Sequence, residues 1–138
     1  IAVVDDLGLA LSRTKDIPSN LPIGERVSQS IHQTWQLLRS PHFKAVVQIW
    51  LAMQADKKVF GAVRTKVTLI EDELDRKWLS LFGDVKLPTR QITMVRHVVL
   101  ATLRGLSLRN TYRQEQSANS DEIEMLKVMV TAALSPRN

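Results

Sequence analysis

Residues 89–112 read TRQITMVRHVVLATLRGLSLRNTY, and they decide the fold of the chain. Apolar residues at three- and four-residue steps form one helical stripe: Ile92, Val95, Val99, Leu103 and Leu106. A second stripe runs along another side of the same helix: Met94, Val98, Ala101, Gly105 and Leu108. A helix that is apolar on two sides needs cover on two sides. We therefore predict that one stripe faces the core and the other faces a second copy of the chain.

Length and composition favour a single helical domain. The chain has 138 residues, 44% of them hydrophobic, which is enough for a sizeable core. With only 5 glycines and 5 prolines it has little of the turn chemistry that a sandwich or barrel needs. No apolar run reaches the roughly 18 residues of a membrane span, and no secretory signal is visible. The lack of cysteine excludes disulfides and thiolate metal sites.

Apolar periodicity and capping residues predict an all-α bundle of about six helices. The first is a helix end within residues 1–12. The others are expected at 24–39, 41–54, 57–82, 89–112 and 120–134. Ser40, Asp56 and Thr89 are the predicted caps of three of them. The last helix is also apolar on two sides, with Ile123, Leu126, Val130, Ala133 and Leu134 on one and Met125, Val128, Met129 and Ala132 on the other.

Charged residues do not indicate an enzyme or a metal site. The net charge of +5 is spread along the chain rather than clustered to follow phosphates, so it does not by itself predict a nucleic-acid binder. On a helix, Asp72 and Glu73 are expected to face Arg76 and Lys77 on a solvated surface. No histidine pair has metal-ligand spacing, and no nucleophile motif or phosphate loop occurs. We predict a protein that is not an enzyme and has neither a metal nor a cofactor.

Aromatic side chains on three consecutive helices leave two interpretations open. Trp35, Trp50 and Trp78 bring indole N–H donors to the inner faces, where each needs a partner. Plain core packing explains any one of them, whereas an apolar cavity would make the group a small-molecule site. The residues predicted to bind such a ligand are Trp35, Phe43, Val47, Trp50, Phe60 and Val63. The polar groups within reach are expected to be Thr34, Gln48, Gln54 and Arg64.

Two stretches of the chain resemble the C-terminal domain of TetR-family transcriptional regulators. The run WQLLRSPHFKA at 35–45, followed by 48–56, is similar to that family's tryptophan helix, Ser-Pro junction and following helix that ends in Asp. The run VVLATLRGL at 98–106 is similar to its small-residue dimerisation helix.

The resemblance implies a regulatory domain spanning residues 1–138. Family members are homodimers whose last two long helices form an intersubunit four-helix bundle, and they hold a pocket for a small, often hydrophobic inducer. They read operator DNA through an N-terminal helix-turn-helix, which these residues do not contain, so we expect 1–12 to be the tail of a linker helix from such a domain. A cytoplasmic repressor is implied. The dimer residues expected are Met94, His97, Ala101, Gly105, Leu108, Met125, Met129 and Ala132.

A second class of function stays open. A helical homodimer with a fully packed interior and no ligand pocket would show the same two-sided helices. In that case it would be an interaction protein, and the tryptophans would be core residues. His97 is similarly ambiguous, as either a satisfied interface residue or a pH-sensitive contact.

Overall fold

The computed structural model describes Asp5, Gly8, Leu9 and residues 15–52, 56–113 and 119–135. It describes their side chains other than those of residues 46, 49–52, 59, 60 and 111–113. All regular structure in these ranges is helical, which confirms the predicted all-α class. Five helices follow one another: α1 Ile23–Leu38, α2 Pro41–Ala52, α3 Lys57–Leu81, α4 Thr89–Arg113 and α5 Ser120–Leu134. None of the described helices is long and apolar enough to cross a membrane.

The predicted helix boundaries agree with these five to within about two residues, and local capping chemistry explains why. Ser40 Oγ accepts a hydrogen bond from the backbone N–H of Phe43 at 3.2 Å, and Asp56 Oδ1 accepts one from Lys58 at 3.1 Å. Both predicted caps are confirmed. Thr89 is instead the first helical residue, because the carbonyl of Pro88 accepts the first bonds of α4. The predicted helix end at 1–12 lies mostly outside the described residues, although Asp5, Gly8 and Leu9 are helical.

The core forms where α1 packs against α4 and α5. α2 packs against α1, α3 against α4, and α4 against α5. The fully buried side chains include Ile31, Leu38, Phe82, Leu103 and Leu134. On α4 the first predicted stripe faces this core, with Ile92, Val99 and Leu103 buried and Val95 and Leu106 half-buried. On α5 the core residues are Leu126, Val130 and Leu134, whereas Ala133, predicted to join them, is exposed.

The acidic row of α3 joins that helix to α4 rather than facing water alone. Asp75 forms an ion pair with Arg96, in which Nε and Oδ1 are 3.2 Å apart, and the same Oδ1 lies 3.1 Å from Nε2 of His97. Glu71 pairs with Arg104 at 3.3 Å. Within α3 itself, Glu73 pairs with Arg76. The predicted pairings of Asp72 with Arg76 and of Glu73 with Lys77 are therefore both wrong, because Arg76 pairs with Glu73 one turn before it.

A buried arginine ties α1 to the turn that follows α3. Arg26 is 5% exposed and donates to both carboxylate oxygens of Asp84, at 2.7 and 3.1 Å, and to the carbonyl of Leu81 at 2.9 Å. Its guanidinium carbon lies 5.5 Å from the ring centroid of Phe82, a cation–π distance. Phe82 in turn packs on Trp78 with ring centroids 4.6 Å apart. This cluster fixes the position of α3 relative to α1. Each of these two helices forms one wall of the cavity described next.

Candidate functional site

A cavity of about 540 Å³ lies in the described part of the chain. It lies between α1, α3 and α4, and the loop at 15–19 borders it on a fourth side. Its size falls within the range of roughly 300–1,000 Å³ that is usual for small-molecule sites. Its apolar lining is Ile17, Leu37, Leu74, Trp78, Leu81, Val99 and Leu100. Its polar lining is Lys15, Asp16, Ser19, Ser30, Gln33, Thr34, Lys77, Ser80 and Arg96.

Trp78 contributes an apolar surface to the cavity, because its indole N–H already has a hydrogen-bond acceptor. The residue is 7% exposed, and its indole Nε1 donates to the carbonyl of Ile92 at 3.0 Å. That carbonyl belongs to the first turn of α4, where the helical residue four positions on already supplies one donor. The hydrogen bond therefore fixes the indole between α3 and α4. The sequence predicts that Trp78 lies on an inner face of its helix. In the structure it also lines the cavity.

Arg96 is the one charged residue of the cavity wall that is buried, at 7% exposed. Besides its contact with Asp75, one Nη2 hydrogen donates to the carbonyl of Glu71 at 3.4 Å. Burial lowers the pKa of the guanidinium, and the negative charges of Asp75 and Glu71 oppose that shift. Its Nη1 nitrogen has no acceptor among the described residues. Arg96 therefore brings a donor without a partner to the wall of the cavity.

Two hydrogen bonds organise the polar side of the cavity. Gln33 donates from Nε2 to the backbone carbonyl of Lys15 at 2.8 Å, which holds the 15–19 loop against α1. Thr34 Oγ1 donates to the carbonyl of Ser30 at 2.9 Å. The hydroxyl of Ser30 itself is enclosed and has no hydrogen-bond partner in the described structure. An unpaired buried hydroxyl costs about 1–3 kcal/mol, so this wall is not optimised for stability alone.

The residues predicted to bind a ligand do not meet at this cavity. Phe43 is half-buried against the core, Val47 is 39% exposed, and Val63 is 1% exposed. Trp35 lines a second depression of about 300 Å³ beside His32, Arg39 and Lys127. The side chains of Trp50 and Phe60 lie outside the described ones. Of the polar groups predicted nearby, Thr34 does line the larger cavity.

The most informative residue that sequence reasoning missed is Arg96. A charge spread along the chain predicts that a basic residue such as Arg96 faces solvent. Its position gave the signal, because residues 92, 96, 99 and 103 follow helical spacing and the other three are apolar. An arginine on a buried stripe must find partners inside the protein.

The predicted dimer residues other than His97, together with Val98 and Val128, form an exposed apolar face on α4 and α5. On α4, Met94, Val98 and Leu108 are 50%, 61% and 58% exposed, with Ala101 and Gly105 exposed between them. On α5, Met125, Val128 and Met129 are 61%, 66% and 60% exposed, and Ala132 is exposed as well. His97 is exposed beside this face and contacts Asp75 of its own chain. We call these α4 and α5 residues, without His97, the apolar face.

Comparison of the chain with protein-family models, with curated proteins and with solved structures finds no match. In the described residues no group of three or more histidine, aspartate or glutamate side chains is arranged to hold a metal ion. Functional inference therefore rests on two surfaces, the cavity and the apolar face.

Proposed function

We propose that the chain is the regulatory domain of a TetR-like transcriptional repressor, in which it homodimerises and binds a small, largely apolar ligand. The observation that carries this proposal is that α4 contributes to both surfaces. Arg96, Val99 and Leu100 line the cavity, whereas Met94 and Val98 lie on the exposed apolar face. At about 100° per residue, the centres of these two sets lie on nearly opposite sides of one helix. A ligand that shifts α4 would therefore act directly on the partner subunit.

The apolar face is the proposed dimer interface. Large apolar side chains are exposed together on two neighbouring helices, and clusters of this kind mark interaction sites. α4 and α5 pack against each other, so two copies related by a twofold axis bring four helices together. A second copy is the occupant that the pattern favours, because Ala101 and Gly105 lie together between the large residues Val98 and Leu108. These small residues would let the backbone of a symmetry mate approach α4 closely.

Ligand binding would act by shifting populations. A ligand between α1, α3 and α4 binds one arrangement of these helices better than another, and the difference in affinity sets the size of the shift. Coupling of this kind is typically about 1–3 kcal/mol. In a protein that carries a DNA-reading domain, the same shift would change the separation of two such domains in the dimer. The DNA-reading part of the proposal rests only on the resemblance of residues 35–45, 48–56 and 98–106.

Charge insertion tests the dimer. We expect the wild-type chain to sediment as a dimer at low micromolar concentration. Val98→Glu and Met129→Glu should each give monomers, because an unpaired carboxylate buried between subunits costs several kcal/mol, roughly a hundredfold or more in dissociation constant. Leu69→Glu is the matched control, since Leu69 is 64% exposed on α3 and lies outside the apolar face. A monomeric wild type, or a dimer that survives both substitutions, would show that this face is not the interface.

A ligand screen separates the regulatory domain from an interaction protein without a pocket. The protein is screened against a panel of hydrophobic small molecules by thermal shift and tryptophan fluorescence. Saturable stabilisation with a change in fluorescence supports the sensor, because Trp78 lies in the cavity wall. Dimerisation with no response across the panel favours the interaction protein.

A further inference from the structure

The charged groups around the cavity are mainly cationic. Lys15, Lys77 and Arg96 line it, against the single carboxylate of Asp16. Arg96 is buried in the wall, whereas the two lysines and Asp16 are exposed. The exposed ammonium groups and the buried guanidinium thus border the same space. A positive entrance attracts anions and disfavours organic cations.

Lys77 has its charge available. Helical spacing places Glu73 one turn before it, but Glu73 pairs with Arg76 instead. Lys77 makes no ion pair with any described residue. Its ammonium group is a compact charge on a flexible stem, which can reach toward an anion at the mouth of the cavity.

Arg96 offers a directed contact inside. Asp75 engages Nε and the carbonyl of Glu71 engages Nη2, which fixes the plane of the guanidinium. Nη1 is the nitrogen left without an acceptor in the described structure. Asp75 also offsets much of the positive charge, so the site suits a group with one negative charge better than a dianion such as phosphate.

The apolar part of the lining suits a hydrocarbon body. Leu37, Leu74, Val99 and Leu100 present aliphatic side chains, and the indole of Trp78 has its N–H already bonded to Ile92. A ligand with polar groups along its whole length would leave them unpaired against this wall, at a cost in free energy. Apolar surface of the ligand, by contrast, gains from leaving water.

We propose that the cavity binds a small organic monocarboxylate, with its apolar body against Leu74, Val99 and Leu100 and its carboxylate accepting a hydrogen bond from Nη1 of Arg96. Lys77 attracts the same carboxylate from the mouth. This inference rests on the proposed function, because it takes the cavity to be the ligand site and adds the chemistry of the ligand.

The test compares sodium decanoate with 1-decanol, which has the same chain length and no charge. Binding is followed by tryptophan fluorescence and calorimetry, at concentrations below those at which either compound aggregates. We expect decanoate to bind about ten- to a hundredfold more tightly than decanol, which is the usual effect of a charge-assisted hydrogen bond. Added salt should weaken decanoate binding and leave decanol binding nearly unchanged.

Three variants locate the contact. Lys77→Met should weaken decanoate binding several-fold without changing the affinity for decanol. Arg96→Lys keeps the charge but removes Nη1, and it should weaken decanoate binding about tenfold. Lys44→Met is the matched control, because Lys44 is an exposed lysine on α2 outside the cavity. Circular dichroism checks that each variant is folded, and Lys77→Met tests the proposal even if Arg96→Lys does not fold.

The outcomes separate this inference from the proposed function. Equal affinities for decanoate and decanol would overturn the carboxylate assignment and leave a small-molecule site in place. Decanoate binding that survives both Lys77→Met and Arg96→Lys unchanged would also overturn it. Binding of neither compound would count against both the carboxylate and the ligand-binding half of the proposed function, whereas sedimentation tests the dimer independently.

Discussion

The contacts of Arg26 show how this small domain holds a charged residue in its core. The guanidinium donates to both carboxylate oxygens of Asp84 and to the backbone carbonyl of Leu81, and it lies over the ring of Phe82. Its Nε alone is enclosed without a partner in the described structure. Because Asp84 lies three residues beyond the end of α3, the pair holds the turn between α3 and α4 as well as α1. The hydrogen bonds from Arg26 hold the pKa of Asp84 below its ordinary value of 3.8.

Acid titration should reveal this pair. The folded pKa of Asp84 is lowered, so its stabilising effect is complete above the unfolded-state pKa and is lost as pH falls through the folded pKa. We expect Asp84→Asn to lower the free energy of unfolding at pH 7 and to make it less dependent on pH below about 4. Asp72→Asn is the control, since that exposed carboxylate makes no ion pair in the described structure. Urea unfolding across the acid range measures both, and an unchanged acid dependence in Asp84→Asn would contradict the assignment.

At the scale of helices, local chemistry predicted most of the architecture. The hydroxyl of Ser40, the carboxylate of Asp56 and the apolar steps from Ile92 to Leu103 each act within a few residues along the chain. Sequence shows such signals directly. The two-sided character of α4 was predictable for the same reason, because side-chain direction on a helix follows from spacing alone.

The cavity could not be located in this way. It depends on which helices pack together, and α3 packs on α4 while α2 packs on α1. The prediction of the ligand residues placed α1, α2 and α3 around one space. That arrangement depends on how the helices pack, which helical spacing does not encode. Arg96 was missed because a charged residue was assumed to face water, and its partners Asp75 and Glu71 come from another helix.

Gly105 gives a sharp test of the face of α4. A Cβ added there meets nothing within 4 Å in the single chain, and the same holds for Gly61 on α3. Alanine at either site should therefore stabilise the protomer by about 0.5–1 kcal/mol, measured by urea unfolding in the monomeric Val98→Glu background. Only Gly105→Ala should weaken the dimer, and Gly105→Leu should weaken it about tenfold or more, because the added atoms meet the partner helix.

Sedimentation equilibrium supplies the dissociation constants. Gly61→Ala serves as the control for the gain in helix stability, since it lies on a helix outside the apolar face. If Gly105→Leu forms a dimer as tight as that of the wild type, no backbone of a partner approaches this glycine. The proposed close approach of the partner at Gly105 would then be wrong even if the chain dimerises.

At the scale of the whole molecule, α4 contributes to the core, to the cavity and to the apolar face. Its inner residues Val99 and Leu103 belong to the core, Arg96 and Leu100 reach the cavity, and Met94 and Leu108 lie on the apolar face. α3 is linked to α4 through Asp75 and Glu71, so a ligand that moves Arg96 also changes the contacts between these helices. Packed helices transmit such displacements because protein interiors have few voids to absorb them.

This geometry predicts reciprocal coupling between ligand and dimer. By linkage, a ligand that distinguishes the dimer from the monomer must change the dissociation constant of the dimer. A dimer of this chain would hold two cavities, so that constant should change by the square of the per-site affinity ratio. We expect a ratio of about 5–150, measured as decanoate affinity in the wild-type dimer against the Val98→Glu monomer. Sedimentation with and without saturating decanoate gives the other side of the cycle. If decanoate binds the monomer and the dimer equally and leaves the dissociation constant unchanged, the cavity is a binding site with no regulatory link through α4.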